Sequence, residues 1–290
     1  MTHLGDQTFA MVDLSDTVLG EIVSARQKRL AEARVLAPSE DLQRAVHARS
    51  ERRDFAAALA ADGFHVIAEM KRASPSRGLL CPQYRPREIA KAYQSAGASA
   101  LSVLTEEQYF LGSLEDLTQA RAAAQLPVLR KDFILEDYQV YESVAAGADA
   151  ILLIVAALSD QDLRKLLGLC NSLRIAALVE VHTQEELEKA LAAGAGIIGV
   201  NNRNLKNLEV DLGTSFRLRE RIPSTCLAVS ESGIRTPADV WRLAQAGFDA
   251  VLIGERLMTA PEPGRALAEL LQGVEMLASA GKQAAERRVR

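Results

Sequence analysis

Ala146-Gly147-Ala148-Asp149-Ala150-Ile151 recurs along the chain in altered form. Ser95-Ala96-Gly97-Ala98-Ser99-Ala100-Leu101 comes before it. Ala193-Gly194-Ala195-Gly196-Ile197 and Ala246-Gly247-Phe248-Asp249-Ala250-Val251 come after. In each, Ala-Gly leads within one or two residues into an apolar run. The pattern predicts a helix ending at a C′ glycine, where positive φ costs little, then a tight turn into a strand. The runs are short and rich in Val, Ile and Leu, as strands covered on both faces should be.

Working outward, four more runs complete the set: Phe64–Met70, Leu126–Lys131, Ile175–His182 and Cys226–Ser232. Strand starts then fall near residues 64, 100, 126, 150, 175, 196, 226 and 249, about 21 to 36 residues apart. Each interval holds one strand, one helix and their loops, so the chain reads as eight βα units. Right-handed crossovers make the sheet parallel. Eight equal units favour closure, and the expected fold is an α/β (β/α)8 TIM barrel with an N-terminal helical extension. Such a barrel takes about 250 residues, which fits a chain of 290. The expected boundaries are 1–63 for the extension, 64–280 for the barrel and 281–290 for a polar, frayed tail.

Within the extension, Leu14, Val18, Ile22, Ala25, Leu30 and Ala33 form a helical stripe over Asp13–Ala37. Ser39 is the expected N-cap of a second helix with acids in its first turn, and Arg53–Ala61 reads as a third. These helices either plug the bottom of the barrel or lie over its top, and the sequence leaves both open.

Composition narrows the chemistry. Apolar residues make up 48% and charged residues 25%, values of a globular chain, and the formal charge of −4 argues against a nucleic-acid partner. The longest apolar run, Ile151–Leu158, suits a buried strand and is far too short for a membrane span. The N-terminus has no basic segment followed by an apolar run, so a soluble cytoplasmic protein is expected. Three cysteines (81, 170, 226) without a CxxC pair suggest neither disulfides nor a zinc site. With four histidines, at 3, 47, 65 and 182, the chemistry leans on Lys, Asp, Glu, Ser or Asn.

Alternate strand residues face the lumen of a barrel, and the C-terminal strand ends form its active face. In the first strand, Val66, Ala68 and Met70 share the outward parity, while His65, Ile67, Glu69 and Lys71 point inward. The same rule directs Leu129, Lys131 and Phe133 inward on the third strand. It does so for Leu178, Glu180 and His182 on the fifth, and for Ile197, Gly199, Asn201 and Arg203 on the sixth. Two lysines, two glutamates, an asparagine and an arginine thus converge on one mouth. Buried charges persist mainly where they are paired or used. His65, deep at the strand start, reads as a satisfied core histidine; His182, at a strand end, stays open between core and site. The seventh strand ends Ser230-Glu231-Ser232-Gly233-Ile234 and the eighth Ile253-Gly254-Glu255. Glycine turns at these two strands suggest a phosphate site at Ser232, Gly233, Gly254 and Glu255, the last through its backbone N–H.

These residues carry a resemblance. Ile67-Ala68-Glu69-Met70-Lys71-Arg72-Ala73-Ser74-Pro75-Ser76, Leu101 to Glu107, Leu129-Arg130-Lys131-Asp132-Phe133, Leu178-Val179-Glu180-Val181-His182, Gly199 to Leu205 and Ser230 to Ile234 stand in order on the predicted strand ends. From about residue 13 to 275 the chain resembles the indole-3-glycerol phosphate synthases. The resemblance implies closure of 1-(o-carboxyphenylamino)-1-deoxyribulose 5-phosphate to an indole, with loss of carbon dioxide and water. It implies no metal and no organic cofactor. It gives the ammonium that polarises the C2′ carbonyl to Lys131, and it shares the later proton transfers among Glu180, Glu69 and Lys71 in an order left open. Lys71 alternatively contacts an anionic group of the substrate. Asn201 holds Glu69 or a substrate hydroxyl, Arg203 and Ser74 meet the carboxylate, and Phe110 and Phe133 supply apolar walls for the anthranilate ring. It also favours an extension near the mouth. A phosphorylated small molecule is the expected partner, with no nucleic acid and no membrane, for a monomer or weak homo-oligomer.

Two other enzyme readings stand beside it. A phosphoribosylanthranilate isomerase would want a Cys after the first strand and an Asp on the sixth, where Glu69/Lys71 and Asn201 stand. A Schiff-base aldolase would need a nucleophilic lysine. A non-enzymatic barrel would be marked by loss of the Lys131 or Glu180 position, and both are intact.

Overall fold

The computed structural model describes residues 17–204 and 208–289, residues 281–289 by backbone alone. The extension folds as α1 (Val18–Leu36), α2 (Ser39–Ala48) and α3 (Phe55–Ala60). The strands are β1 (His65–Met70), β2 (Ala73–Ser74), β3 (Gly78–Leu79), β4 (Ala100–Leu104), β5 (Val128–Lys131), β6 (Ala150–Ile154), β7 (Ala176–Val181), β8 (Ile197–Asn201), β9 (Leu227–Glu231) and β10 (Ala250–Ile253). The outer helices are α4 (Pro86–Ser95), α5 (Leu114–Ala123), α6 (Asp137–Ala146), α7 (Asp160–Leu173), α8 (Gln184–Ala192), α9 (Gly213–Arg219), α10 (Pro237–Gln245), α11 (Glu255–Met258) and α12 (Pro263–Val289). β1 and β4–β10 close into a parallel barrel in sequence order, with β1 paired to both β4 and β10. Among the described residues, no helix is long and apolar enough to cross a membrane.

The four Ala-Gly repeats turn as expected: Gly97, Gly147, Gly194 and Gly247 have φ of 94°, 103°, 88° and 90°. The repeated aspartate has a use of its own. Asp149 Oδ2 accepts from Val128 N at 3.0 Å, and Asp249 Oδ2 accepts from Ala228 N at 2.7 Å. Each ties the start of its strand to the start of the preceding one.

Strand parity sorts the core into two layers. Val66, Ala68 and Met70 pack with the outer helices, as do Leu101, Val103, Ile151 and Leu153. Ile67, Ala100, Leu129, Leu152, Leu178, Ile197, Val229 and Leu252 fill the lumen. The lumen is therefore a packed core below, and only its upper end is left for polar side chains.

The extension serves both ends, which resolves the choice between plug and lid. Phe55 and Leu59 of α3 join the lumen cluster and are 1% exposed. They close the bottom beside His65, whose ring is satisfied by Ser99 Oγ at 3.0 Å and Ala61 O at 2.9 Å. α2 runs along α6. α1 lies at the top: Arg26 Nη2 meets Asp132 Oδ2 at 2.9 Å, Arg34 meets Glu136 at 2.7 Å, and Tyr138 Oη donates to Ala33 O at 2.9 Å. The extension is thus a strap clipped to both rims.

Several local expectations change. The N-cap position of α2 is held by Pro38, and Ser39 is the first helical residue with no side-chain cap. The apolar run from Ile151 leaves the strand at Ile154 and continues as a 3-10 turn, Val155–Ala157. The β1 loop carries the small antiparallel hairpin of β2 and β3. The segment expected as a frayed tail is helical to Val289 as the end of α12. The start of the first predicted helix, residues 13–16, lies outside the described residues.

At the bottom rim, buried Asp149 also receives Arg49 Nη2 at 2.7 Å, Arg121, and Arg53 N at 3.0 Å. Removing one partner of a buried ion cluster leaves the other charges uncompensated. Asp149→Ala should therefore destabilise the fold by about 3–5 kcal/mol, read from the urea midpoint. A loss below about 1 kcal/mol, the range of exposed pairs, would show that the arginines find water instead.

Candidate functional site

The upper lumen opens as a cavity of about 460 Å³, within the usual range for small-molecule sites. Glu69, Lys71, Phe110, Lys131, Phe133, Glu180, Asn201, Arg203, Ser232, Gly233, Gly254 and Glu255 all line it. Ser74 does not: it is buried in β2, and its Oγ has no partner among the described residues. It sits in the hairpin, paired with Gly78.

Lys131, the last residue of β5, is the centre. Its Nζ lies 2.8 Å from Glu180 Oε2 and 2.5 Å from Glu231 Oε2. A second pair, Lys71 Nζ to Glu69 Oε1 at 2.8 Å, stands on β1 and its edge. Burial alone would pull the Lys131 ammonium down, but Glu180, Glu231 and Glu69 outweigh it and hold its pKa far above the usual lysine range. Burial pushes Glu180 up, yet Lys131 and His182 prevail and hold it below the ordinary carboxylate range. Glu231 goes the other way. Burial and the nearby Glu180 outweigh Lys131 and raise it to about 7. One ammonium cannot fully neutralise two buried carboxylates, so the second stays poised near neutrality.

Glu231 was not among the residues expected from sequence. Parity could have found it, since Leu227, Val229 and Glu231 share the inward face of β9. The Ser-Gly turn directly after it carries the stronger sequence signal, that of a phosphate site. Two glycines make room for the carboxylates. A Cβ on Gly199 would collide with Glu231 Oε1, and one on Gly254 would collide with Glu69 Oε1. Glu69 by itself therefore requires glycine at 254.

Asn201 stands beside Glu180 and helps hold that carboxylate ionised; the expectation gave it Glu69 or a substrate hydroxyl. Its Oδ1 also accepts from Arg203 N at 3.0 Å. The Ser232-Gly233 turn takes left-handed φ of 66° and 79°. Such a conformation is costly for serine and is held by its surroundings. Asn202 does the holding: Nδ2 donates to Ser232 O at 3.1 Å and Glu231 O at 2.9 Å, and Oδ1 accepts from Ser215 N at 3.0 Å. Glu255 points its carboxylate into the cavity, 3.4 Å from Arg203 Nη2 and 3.3 Å from Arg77 Nε. Phe110 and Phe133 form one wall, ring centroids 6.3 Å apart and tilted by 38°. Leu205 of the sixth-strand motif lies outside the described residues.

A lysine–carboxylate centre beside an aromatic wall, at the C-terminal mouth of a parallel barrel, defines a barrel enzyme. Comparison with known proteins is specific. The family model "Indole-3-glycerol phosphate synthase" matches residues 19–270. The indole-3-glycerol phosphate synthase of Polaromonas naphthalenivorans is 48% identical over 257 residues, covering 87% of this chain and 98% of that protein. That of Mycolicibacterium gilvum is 53% identical over 230 residues, covering 78% and 85%. Among solved structures, a mandelate oxidase mutant with a monooxide FMN adduct aligns at TM-score 0.57 and 20% identity, over 75% and 74% of the two chains. Thiamine phosphate pyrophosphorylase from Pyrococcus furiosus aligns at 0.54 and 16%, over 73% and 96%. These two share the fold alone. The chain belongs to the indole-3-glycerol phosphate synthase family, carboxy-lyases of tryptophan biosynthesis.

Gly199→Ala should displace Glu231 from Lys131 without touching a charge. A misplacement of that size should lower kcat by about tenfold to a hundredfold, measured by steady-state kinetics alongside a crystal structure of the variant. An unchanged kcat with Glu231 visibly moved would remove Glu231 from the working site.

Proposed function

We propose that this chain closes 1-(o-carboxyphenylamino)-1-deoxyribulose 5-phosphate to indole-3-glycerol phosphate, releasing carbon dioxide and water, by lysine and carboxylate acid–base catalysis. The observation that carries the reading is the Lys131 ammonium clamped between Glu180 and Glu231 beside the Phe110–Phe133 wall.

Ring closure needs a proton on, or a strong dipole at, the C2′ carbonyl oxygen as the aromatic carbon attacks. Lys131, held cationic by its neighbours, supplies it as general acid. The same electrostatics argue against a Schiff base, because a nucleophilic amine must first lose its proton. The anthranilate ring lies against Phe110 and Phe133. Arg203 meets its carboxylate, for which a planar guanidinium is the natural partner. Decarboxylation then restores the ring electrons. Dehydration requires an acid for the departing hydroxyl and a base for the ring proton. Glu231, near neutral in pKa, is matched to proton exchange at working pH. Glu180, Glu69 and Lys71 complete the set, and Asn201 fixes Glu180. The phosphate is taken by the Ser232-Gly233 turn and the backbone of Gly254 and Glu255. For this the Glu255 carboxylate must stay with Arg203 and Arg77, clear of the anion.

Purified protein, without added metal, should convert the substrate to a fluorescent indole product. Folded protein giving no product would sink the proposal. Lys131→Ala should lower kcat by about a hundredfold or more, and borohydride should trap no adduct at Lys131 or Lys71, as checked by intact-mass spectrometry. The pH dependence has a definite sign. A base whose pKa is raised to about 7 must be ionised, so kcat should climb through neutrality as pH rises. Glu231→Gln should slow turnover by about a hundredfold. A kcat flat from well below to well above neutrality would leave Glu231 without a proton to move.

A further inference from the structure

His182 follows β7 directly and turns back toward the centre. Its ring has two carboxylate neighbours from different elements. Nδ1 lies 3.2 Å from Glu186 Oε2, and the same oxygen accepts from His182 N at 2.6 Å. Nε2 lies 3.5 Å from Glu180 Oε1 and makes no hydrogen bond among the described residues. The side chain is only 11% exposed. Glu186 is itself fixed by the start of α8, where Thr183 is the N-cap and accepts from Glu186 N at 3.2 Å. A rigid helix start therefore aims one carboxylate at Nδ1, which leaves Nε2 aimed at the other.

Glu180 thus has a basic group beside each oxygen, Lys131 on Oε2 and the imidazole on Oε1. We propose that His182, oriented by Glu186, is a positioning residue for catalysis: as an imidazolium it holds the Glu180 carboxylate ionised and rotationally fixed against Lys131. This rests on the proposed role of the Lys131–Glu180 pair. The second cation lets Glu180 remain charged when Lys131 gives up its proton to substrate, a moment when that carboxylate would otherwise face only Glu231. The groups that bear on the ring are Glu180 from β7, Glu186 from α8 and Glu231 from β9, with Lys131 across Glu180. Burial disfavours the imidazolium, but the three carboxylates outweigh it and raise its pKa above the ordinary histidine value.

Two measurements on the full chain test this, one independent of activity. In an NMR titration of the histidine rings, His182 should titrate above its ordinary value, and Glu186→Gln and Glu180→Gln should each lower it. In steady-state kinetics, His182→Gln and His182→Ala should lower kcat by about tenfold with KM nearly unchanged. Removing a positive charge raises the pKa of the carboxylates around it, Glu231 as well as Glu180, so the acid limb of kcat should move to higher pH in both variants. Gln retains an amide donor, so it should recover part of kcat but none of the limb shift. A His182 pKa at the ordinary value and indifferent to Glu180→Gln would overturn the proposal, as would variants with the wild-type pH profile. If the wild-type protein turned over no substrate, the functional reading would fail, while the titration would still decide whether His182 and Glu180 are coupled.

Discussion

One ammonium shared by two buried carboxylates organises the upper half of this protein. Lys131 would be too costly to bury alone, and Glu180 and Glu231 would each be costly without it. Their mutual compensation holds only while three strands keep their register. β5 delivers the lysine, β7 and β9 the acids, and β8, lying between β7 and β9, contributes Gly199, where any side chain would strike Glu231. The closed barrel supplies that register, since every strand is hydrogen-bonded on both sides and none can slip alone.

The strap formed by the extension belongs to the same constraint. Phe55 and Leu59 seal the bottom with apolar area, worth about 1.5–3 kcal/mol for each side chain. Asp149 gathers three arginines there, two through side chains and one through its backbone N–H. At the top, Arg26 reaches Asp132, the residue after Lys131, which also accepts from Thr105 at 2.6 Å and Arg130 at 2.9 Å. One helical segment therefore braces both the floor of the core and the strand that carries the central lysine.

Much of the site was legible because a strand alternates with period two. Glu69, Lys71, Lys131, Glu180, Asn201 and Arg203 were assigned to the lumen by counting, and all line one cavity. Ser74 lies past the end of the first strand in a hairpin, where the count does not reach, and its part rests on the resemblance alone. Glu231 was missed although the same count would have found it, because the glycine turn beside it carried a competing reading. Asn202 stands in the Gly199 to Leu205 stretch, but its task is not legible there. Its work is to pin a left-handed turn on a neighbouring strand, and sequence spacing holds no trace of a contact between strands.

The sequence by itself determined the eight-unit barrel, the two faces of each strand and the end at which charge collects. These follow from local rules: a glycine where φ must be positive, and alternation along a strand. Only the tertiary structure decided how the charges divide. Pairing Lys131 with Glu180 and Glu231, and Lys71 with Glu69, depends on distances between strands far apart in sequence. The tuning of Glu231 toward neutrality depends on burial combined with a shared cation. The extension needed the structure for the same reason: an amphipathic helix shows that it has a partner face, but not which end of the barrel supplies it.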